Sequence, residues 1–172
     1  GKLSVSGSSV GSNAHLGWEI LKSMTGIDVV VVNFQGEPPS LPSLLNGDIH
    51  AALSSATVAP LVASGKLIGI ATTSSQRWNV FPSLPTVQES GVAGFDVAGW
   101  YGIVAPAGTP PEAVARVNEA FRTALANPDV RKSLLDIGIT PLGSTPEEFT
   151  RRIRADLDRI GPIIQKAGLK LN

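Results

Sequence analysis

The residues best placed to do chemistry lie together near the start of the chain, in Gly7-Ser8-Ser9-Val10-Gly11-Ser12-Asn13-Ala14-His15. The glycines let backbone N–H groups turn toward a ligand, and the hydroxyls of Ser8, Ser9 and Ser12 add donors without adding charge. Ser12 or Asn13 can cap a helix, and apolar residues follow at helical spacing at Leu16, Ile20, Leu21 and Met24. Leu3 and Val5, alternating before the loop, read as a strand. A strand, a Gly/Ser loop and a helix start together make an anion-binding layout. The first N–H groups of a helix have no internal partner, and the macrodipole places about half a positive charge there. A carboxylate or phosphate suits this chemistry. The plain alternative is an ordinary strand-to-helix turn with a good N-cap.

Gly7-Ser8-Ser9-Val10-Gly11 also matches G-x-S-x-G, the elbow that presents a nucleophilic serine between a strand and a helix. It would make Ser9 the nucleophile of a serine esterase. Such an enzyme needs an acid and then a histidine downstream, and the two histidines, His15 and His50, come too early. Catalysis is therefore not expected, and no catalytic residue is assigned. His15 reads as a packed residue with a local hydrogen bond. The loop lacks the Lys-Ser/Thr of a nucleotide-binding P-loop. The chain has no cysteine, which removes disulfides, thiol catalysis and cysteine-ligated metal, and its histidines form no ligand pair. No metal and no cofactor are expected. Fourteen basic residues balance fourteen acidic ones, so no basic field argues for nucleic acid. No run of about 18 apolar residues suggests a membrane-spanning helix. The chain opens on Gly1-Lys2 directly before the first strand with no recognisable leader, leaving open whether an upstream segment was removed.

The elements that position the loop follow from pattern. Thr25-Gly26 ends the first helix. Ile27 to Val32, with four valines in succession, predicts a strand buried on both faces of a parallel sheet. A short helix from Ser40 stops at Asn46-Gly47, and Asp48 to Leu53 reads as a third strand ending in Ser54-Ser55. Ala56 to Ser64 is a small helix carrying Pro60, and Lys66 to Thr73 a fourth strand. This βαβαβαβ order predicts an α/β lobe over residues 1–73 with a largely parallel sheet. The polar loops Ser6–Ser12, Asn33–Gly36 and Ser54–Ser55 all follow strand ends, where ligands of open α/β sheets collect. Residues 74–105 read as a packed connection, with a helical piece around Thr86 to Ser90 and one or two return strands over Phe95 to Ala105. Residues 106–172 read as a C-terminal helical segment. Its first helix is capped by Thr109 with Pro110 at the first position, its second covers Asp129 to Ile137, and its third is capped by Thr145. The charged residues of the third, from Arg151 to Arg159, lie mostly off its apolar face and read as solvated surface.

Several stretches together resemble one family. They are Gly7 to Leu16, Lys22-Ser23-Met24-Thr25-Gly26, Leu44-Leu45-Asn46-Gly47, Phe81 to Gly91, Gly99 to Pro110, and Pro141 to Phe149, in family order and spacing. The family is that of the periplasmic solute receptors of tripartite tricarboxylate transporters, also called Bug receptors. The resemblance implies a periplasmic-binding-protein-like fold in which two lobes close on a small organic carboxylate, each lobe offering a loop at a helix N-terminus. The chain resembles the second lobe plus the C-terminal return segment, without the N-terminal half of the first lobe. The resemblance further implies a periplasmic location, membrane transporter subunits as partners, and binding of the carboxylate by Ser8, Ser9, Gly11, Ser12, Asn13, Ser54 and Ser55. Three departures stand out. Ser9 replaces a usual glycine, where a left-handed backbone would be strained. Asn33-Phe34-Gln35-Gly36 replaces Pro-Tyr-Lys-Gly and loses a cation. Ser54 replaces a frequent aspartate and loses an anion. A less charged pocket edge implies a ligand that differs from the common di- and tricarboxylates. The alternative is a non-binding or assembly fragment of the family. Apolar faces at Val114, Val117, Phe121 and Leu125, and at Phe149, Ile153, Leu157 and Ile160, need cover and lead to the expectation of a homodimer.

Overall fold

The structure is a computed structural model that describes residues 2–166. The first strand, β1 (Leu3–Gly7), is followed by α1 (Asn13–Thr25), β2 (Val29–Asn33), α2 (Ser40–Asn46) and β3 (Ala51–Ala52). A 3-10 turn over Ala56–Val58 leads into α3 (Ala59–Ala63), and the helices α4 (Pro111–Ala126), α5 (Pro128–Asp136) and α6 (Pro146–Lys166) complete the order. The sheet runs β2-β1-β3, so the loop-bearing strand is central. Both pairings are parallel, with Gly7 beside Asn33 and Ser6 beside Ala52. This is the α/β architecture with a parallel sheet that the βαβ order predicts.

The core forms where β1 and β2 meet the inner face of α1. Val5, Trp18 and Val29 are its buried centre, and Leu21, Val31, Ala51 and Leu53 pack around them. Trp18 also donates its indole N–H to the Ser6 carbonyl at 2.9 Å, which ties α1 to the middle of β1. Gly26 takes the left-handed conformation at φ 73° and donates its N–H to the Lys22 carbonyl, ending α1 where Thr25-Gly26 predicts.

Four expectations are corrected. Lys66 to Thr73 is not a fourth sheet strand. Leu67 and Gly69 turn inward, with Gly69 close against Leu84, while Ile68 is 88 % exposed. The alternation of a strand is present, but among the described residues its only ladder contact is the bridge from Thr72 to Thr86. The valines of β2 are not buried on both faces, because β2 lies at the sheet edge and leaves Val30 and Val32 exposed. Phe95 to Ala105 forms no strand: Phe95 is a buried anchor at 1 % exposure, and the Val97 N–H bonds the Thr73 carbonyl in an irregular path. Thr86 to Ser90 is a single turn rather than a helix: a Thr86–Glu89 capping box opens it and the Ser90 N–H bonds the Thr86 carbonyl, but Gly91, at φ 110°, turns the chain away at once.

The chain divides into two compact units, one of residues up to 99 together with those from 159 onward, the other Trp100–Asp158. In the second unit α4 starts one residue later than expected. Pro110 is the N-cap, because the Thr109 hydroxyl bonds the Pro106 carbonyl at 2.8 Å. Asn127 caps α5 by accepting the N–H groups of Asp129 and Val130. Thr145 and Glu148 form a reciprocal capping box at the start of α6, at 2.8 and 3.2 Å. Trp100 stands edge-on to Phe149 at 5.1 Å and donates to Asp156 at 2.7 Å. Gly102 passes so close to Phe149 that a Cβ there would overlap the ring. No helix among the described residues is long and apolar enough to cross a membrane.

Candidate functional site

The loop between β1 and α1 lies at the carboxyl edge of the sheet, at its central strand. Ser12 is the N-cap of α1, with extended backbone at ψ 161°. Its Oγ accepts two N–H groups, those of His15 and Ser9, both at 3.2 Å, and its own N–H reaches the Ser9 carbonyl at 3.0 Å. Gly11 sits at φ 78°, which favours glycine, and donates its N–H to His15 Nδ1 at 3.2 Å. That bond makes Nδ1 an acceptor, so the neutral ring carries its proton on Nε2. His15 is only 4 % exposed and acts as an internal brace for the loop.

These bonds sort the expected ligand residues. The N–H groups of Gly11 and Ser9 are used internally, as are the lone pairs of Ser12 Oγ. The N–H groups of Ser8, Val10, Asn13 and Ala14 and the hydroxyls of Ser8 and Ser9 stay open among the described residues. Ser9 is not strained: every residue with positive φ among those described is a glycine. The Asn13 side chain lies against Gly99, where a Cβ would come within 2.5 Å of its amide nitrogen.

Ser54 and Ser55 lie next door. Ser54 follows the last paired residue of β3, Ala52, by two positions, as Ser8 follows its partner Ser6. Ser54 Oγ is buried without a hydrogen-bond partner. Ser55 is already engaged: its N–H bonds Glu37 Oε1 at 3.1 Å, and its hydroxyl lies 3.1 Å from that of Thr57. Thr57 donates to the same Glu37 oxygen at 2.6 Å. Glu37 is the site residue that sequence reasoning missed. Its signal was a carboxylate directly after the Gln35-Gly36 turn, one residue from a loop that packs on Ser8. The loop after β2 is bound to the loop after β1 by the Phe34 N–H to the Gly7 carbonyl and the Gly36 N–H to the Ser8 carbonyl, each 3.0 Å. Neither histidine is paired with Ser9: His15 faces Gly11, and His50 Nδ1 lies 3.1 Å from both the N–H and the hydroxyl of Ser4. No cluster of three metal-ligating side chains occurs among the described residues.

A parallel sheet with a glycine-braced loop and a helix N-terminus at its carboxyl edge is the layout of an α/β lobe of the periplasmic-binding-protein type. The sequence matches the profile of the tripartite tricarboxylate transporter family receptor, TctC, over residues 1–169, and the chain belongs to that family. It is 29 % identical to protein BugT of Bordetella pertussis over 172 residues, which are 99 % of this chain and 53 % of BugT. Among solved structures it is similar to R. palustris Rpa4515 with adipate, at TM-score 0.82 and 32 % identity over 98 % of this chain and 56 % of that one. It is also similar to the periplasmic binding protein BugD, at TM-score 0.79 and 27 % identity over 98 % of this chain and 57 % of that one. The chain spans about half the length of each of these three relatives. Family members are solute-binding receptors.

Proposed function

We propose that the chain is a solute-receptor lobe that holds a small organic carboxylate at the start of α1. The carboxylate accepts the N–H groups of Asn13 and Ala14 and the hydroxyls of Ser8 and Ser9. Ser12 and Gly11 shape the loop, and Ser54 lines its β3 side. The observation that carries this reading is the pair of unpartnered N–H groups at the head of a 13-residue helix, beside the open hydroxyls of Ser8 and Ser9. The adipate of the relative's structure points to the same ligand class. The receptor family points to the periplasm and to membrane transporter subunits as partners. A second copy of the chain is the proposed cover for its exposed apolar faces.

Calorimetry with adipate and with 2-hydroxybutanoate tests the site. A hydrogen bond to a charged acceptor contributes roughly 1.5–3 kcal/mol. Ser8→Ala is therefore expected to weaken binding by about tenfold or more, with little change in melting temperature, since its hydroxyl has no internal partner. Ser12→Ala is expected to weaken binding and also to destabilise α1 by about 1 kcal/mol through loss of the cap. Unchanged affinity in both variants would refute the assignment.

A further inference from the structure

We propose that Glu37 sets the charge of the ligand. It acts as a built-in carboxylate that occupies the donors of the β3 loop and rejects a second ligand carboxylate, so that the lobe takes singly charged acids bearing a hydroxyl or ammonium group over dicarboxylates. The proposal rests on the assignment of the α1 loop as the carboxylate site.

The topology places the charge. Glu37 follows β2, while Ser55 and Thr57 follow β3, and β1 lies between those strands. Adjacent strands are about 4.8 Å apart, so the two ends are separated by about 10 Å. The Glu37 carboxylate reaches Ser55 and Thr57 from a residue whose neighbour, Gly36, is bonded to Ser8 at the carboxyl end of β1. The Gly36 N–H on the Ser8 carbonyl holds the near end of that bridge against the loop. The Glu37 carboxylate therefore stands at the mouth of the site.

The donor count gives the consequence. The loop after β2 uses its Phe34 and Gly36 N–H groups on Gly7 and Ser8. The loop after β3 gives its Ser55 N–H and Thr57 hydroxyl to Glu37 Oε1. The open donors of Ser8, Ser9, Asn13 and Ala14 gather at the start of α1 around one carboxylate, and on the β3 side the buried Ser54 hydroxyl is also open. The second carboxylate of a short diacid would face the Glu37 charge, and like charges at this range repel. Glu37 Oε2 makes no hydrogen bond among the described residues, so it can accept one from a ligand hydroxyl or ammonium.

Calorimetry on the full chain with 2-hydroxybutanoate and malate isolates the effect, because the two acids differ by a methyl in place of a carboxylate. The wild type is expected to bind 2-hydroxybutanoate about tenfold tighter than malate. Glu37→Gln keeps an acceptor oxygen for Ser55 and Thr57 and is expected to narrow the gap to about threefold or less by tightening malate. In the wild type alone, raising the salt from about 0.01 to about 1 M is expected to narrow the gap as well, since it screens the repulsion. Malate binding as tightly as the monoacid, or a gap indifferent to both Glu37→Gln and salt, overturns the proposal. If both acids bind, Ser8→Ala weakens them and the gap ignores Glu37, this inference alone falls. If neither acid binds the wild type or Glu37→Gln, the α1-loop site falls and this inference with it.

Discussion

Glu89 is held by two donors of different kinds, and the pair makes a pH-dependent clamp. Its carboxylate accepts the Thr86 N–H at 2.7 Å and the Arg77 Nε at 3.0 Å. The Thr86 N–H first, and then the Arg77 guanidinium, hold the Glu89 carboxyl below its ordinary value of 4.5. The folded carboxyl thus takes up its proton at lower pH than the unfolded one. Its contribution is complete at neutral pH and is lost as pH falls through the folded value. Glu89→Gln is expected to lower the melting temperature at pH 7, with the difference from wild type shrinking on acidification below the usual glutamate range. Thermal melts over pH 7 to 3 check this, and a difference that stays constant with pH would contradict it. At this scale the local chemistry of the loop was legible, because capping serine and left-handed glycine are short-range facts. Which donors remain free was not. That depends on Gly11 meeting His15, and on Ser55 meeting Glu37 eighteen residues away.

Helices in this chain were easier to read than strands, and the reason is physical. A helix is specified by its own caps and periodicity, so Gly26, Gly47 and Thr145 mark helix ends where sequence placed them. A strand needs a neighbour. Lys66 to Thr73 and Phe95 to Ala105 carry apolar patterns suited to sheets, but among the described residues they lie in no sheet, and pattern cannot supply a partner. The same reasoning makes caps the sensitive points of the second unit. Asn127 Oδ1 accepts from Asp129 at 2.9 Å and Val130 at 3.3 Å, at the head of a nine-residue helix. Asn127→Ala is expected to destabilise the chain by about 1 kcal/mol, and Asn127→Asp to restore most of that loss. Urea titrations of the three proteins decide it. Equal midpoints for wild type and Asn127→Ala would show that α5 is held by packing alone.

Each compact unit leaves apolar surface in water that a lone chain does not cover. In the first, Ile68 and Ile70 project from an extended segment whose backbone between Ile68 and Ala71 joins no ladder. In the second, Tyr101 is 91 % exposed, Ile103 and Val104 stand beside it, and Val117 and Phe121 lie open on α4. Exposed extended backbone with apolar side chains is a template for pairing with another chain. Burying apolar surface at about 25 cal/mol per Å² gives such faces a strong tendency to find cover. A second copy of the chain is the cover proposed for these faces. A two-fold pair would present each copy's extended segments to the other. The proposed dimer is therefore expected to dissociate with dilution, and sedimentation velocity from about 1 to 100 µM reads this directly. A standard stable interface buries about 800 Å² per partner, so removing one exposed anchor should weaken but not abolish the association. Phe121→Glu, at a half-exposed position on α4, is expected to shift the dimer toward monomer at equal concentration without lowering helical content. A monomer across the whole range, with wild type and Phe121→Glu indistinguishable, would refute the dimer and leave these faces to a partner other than the chain itself.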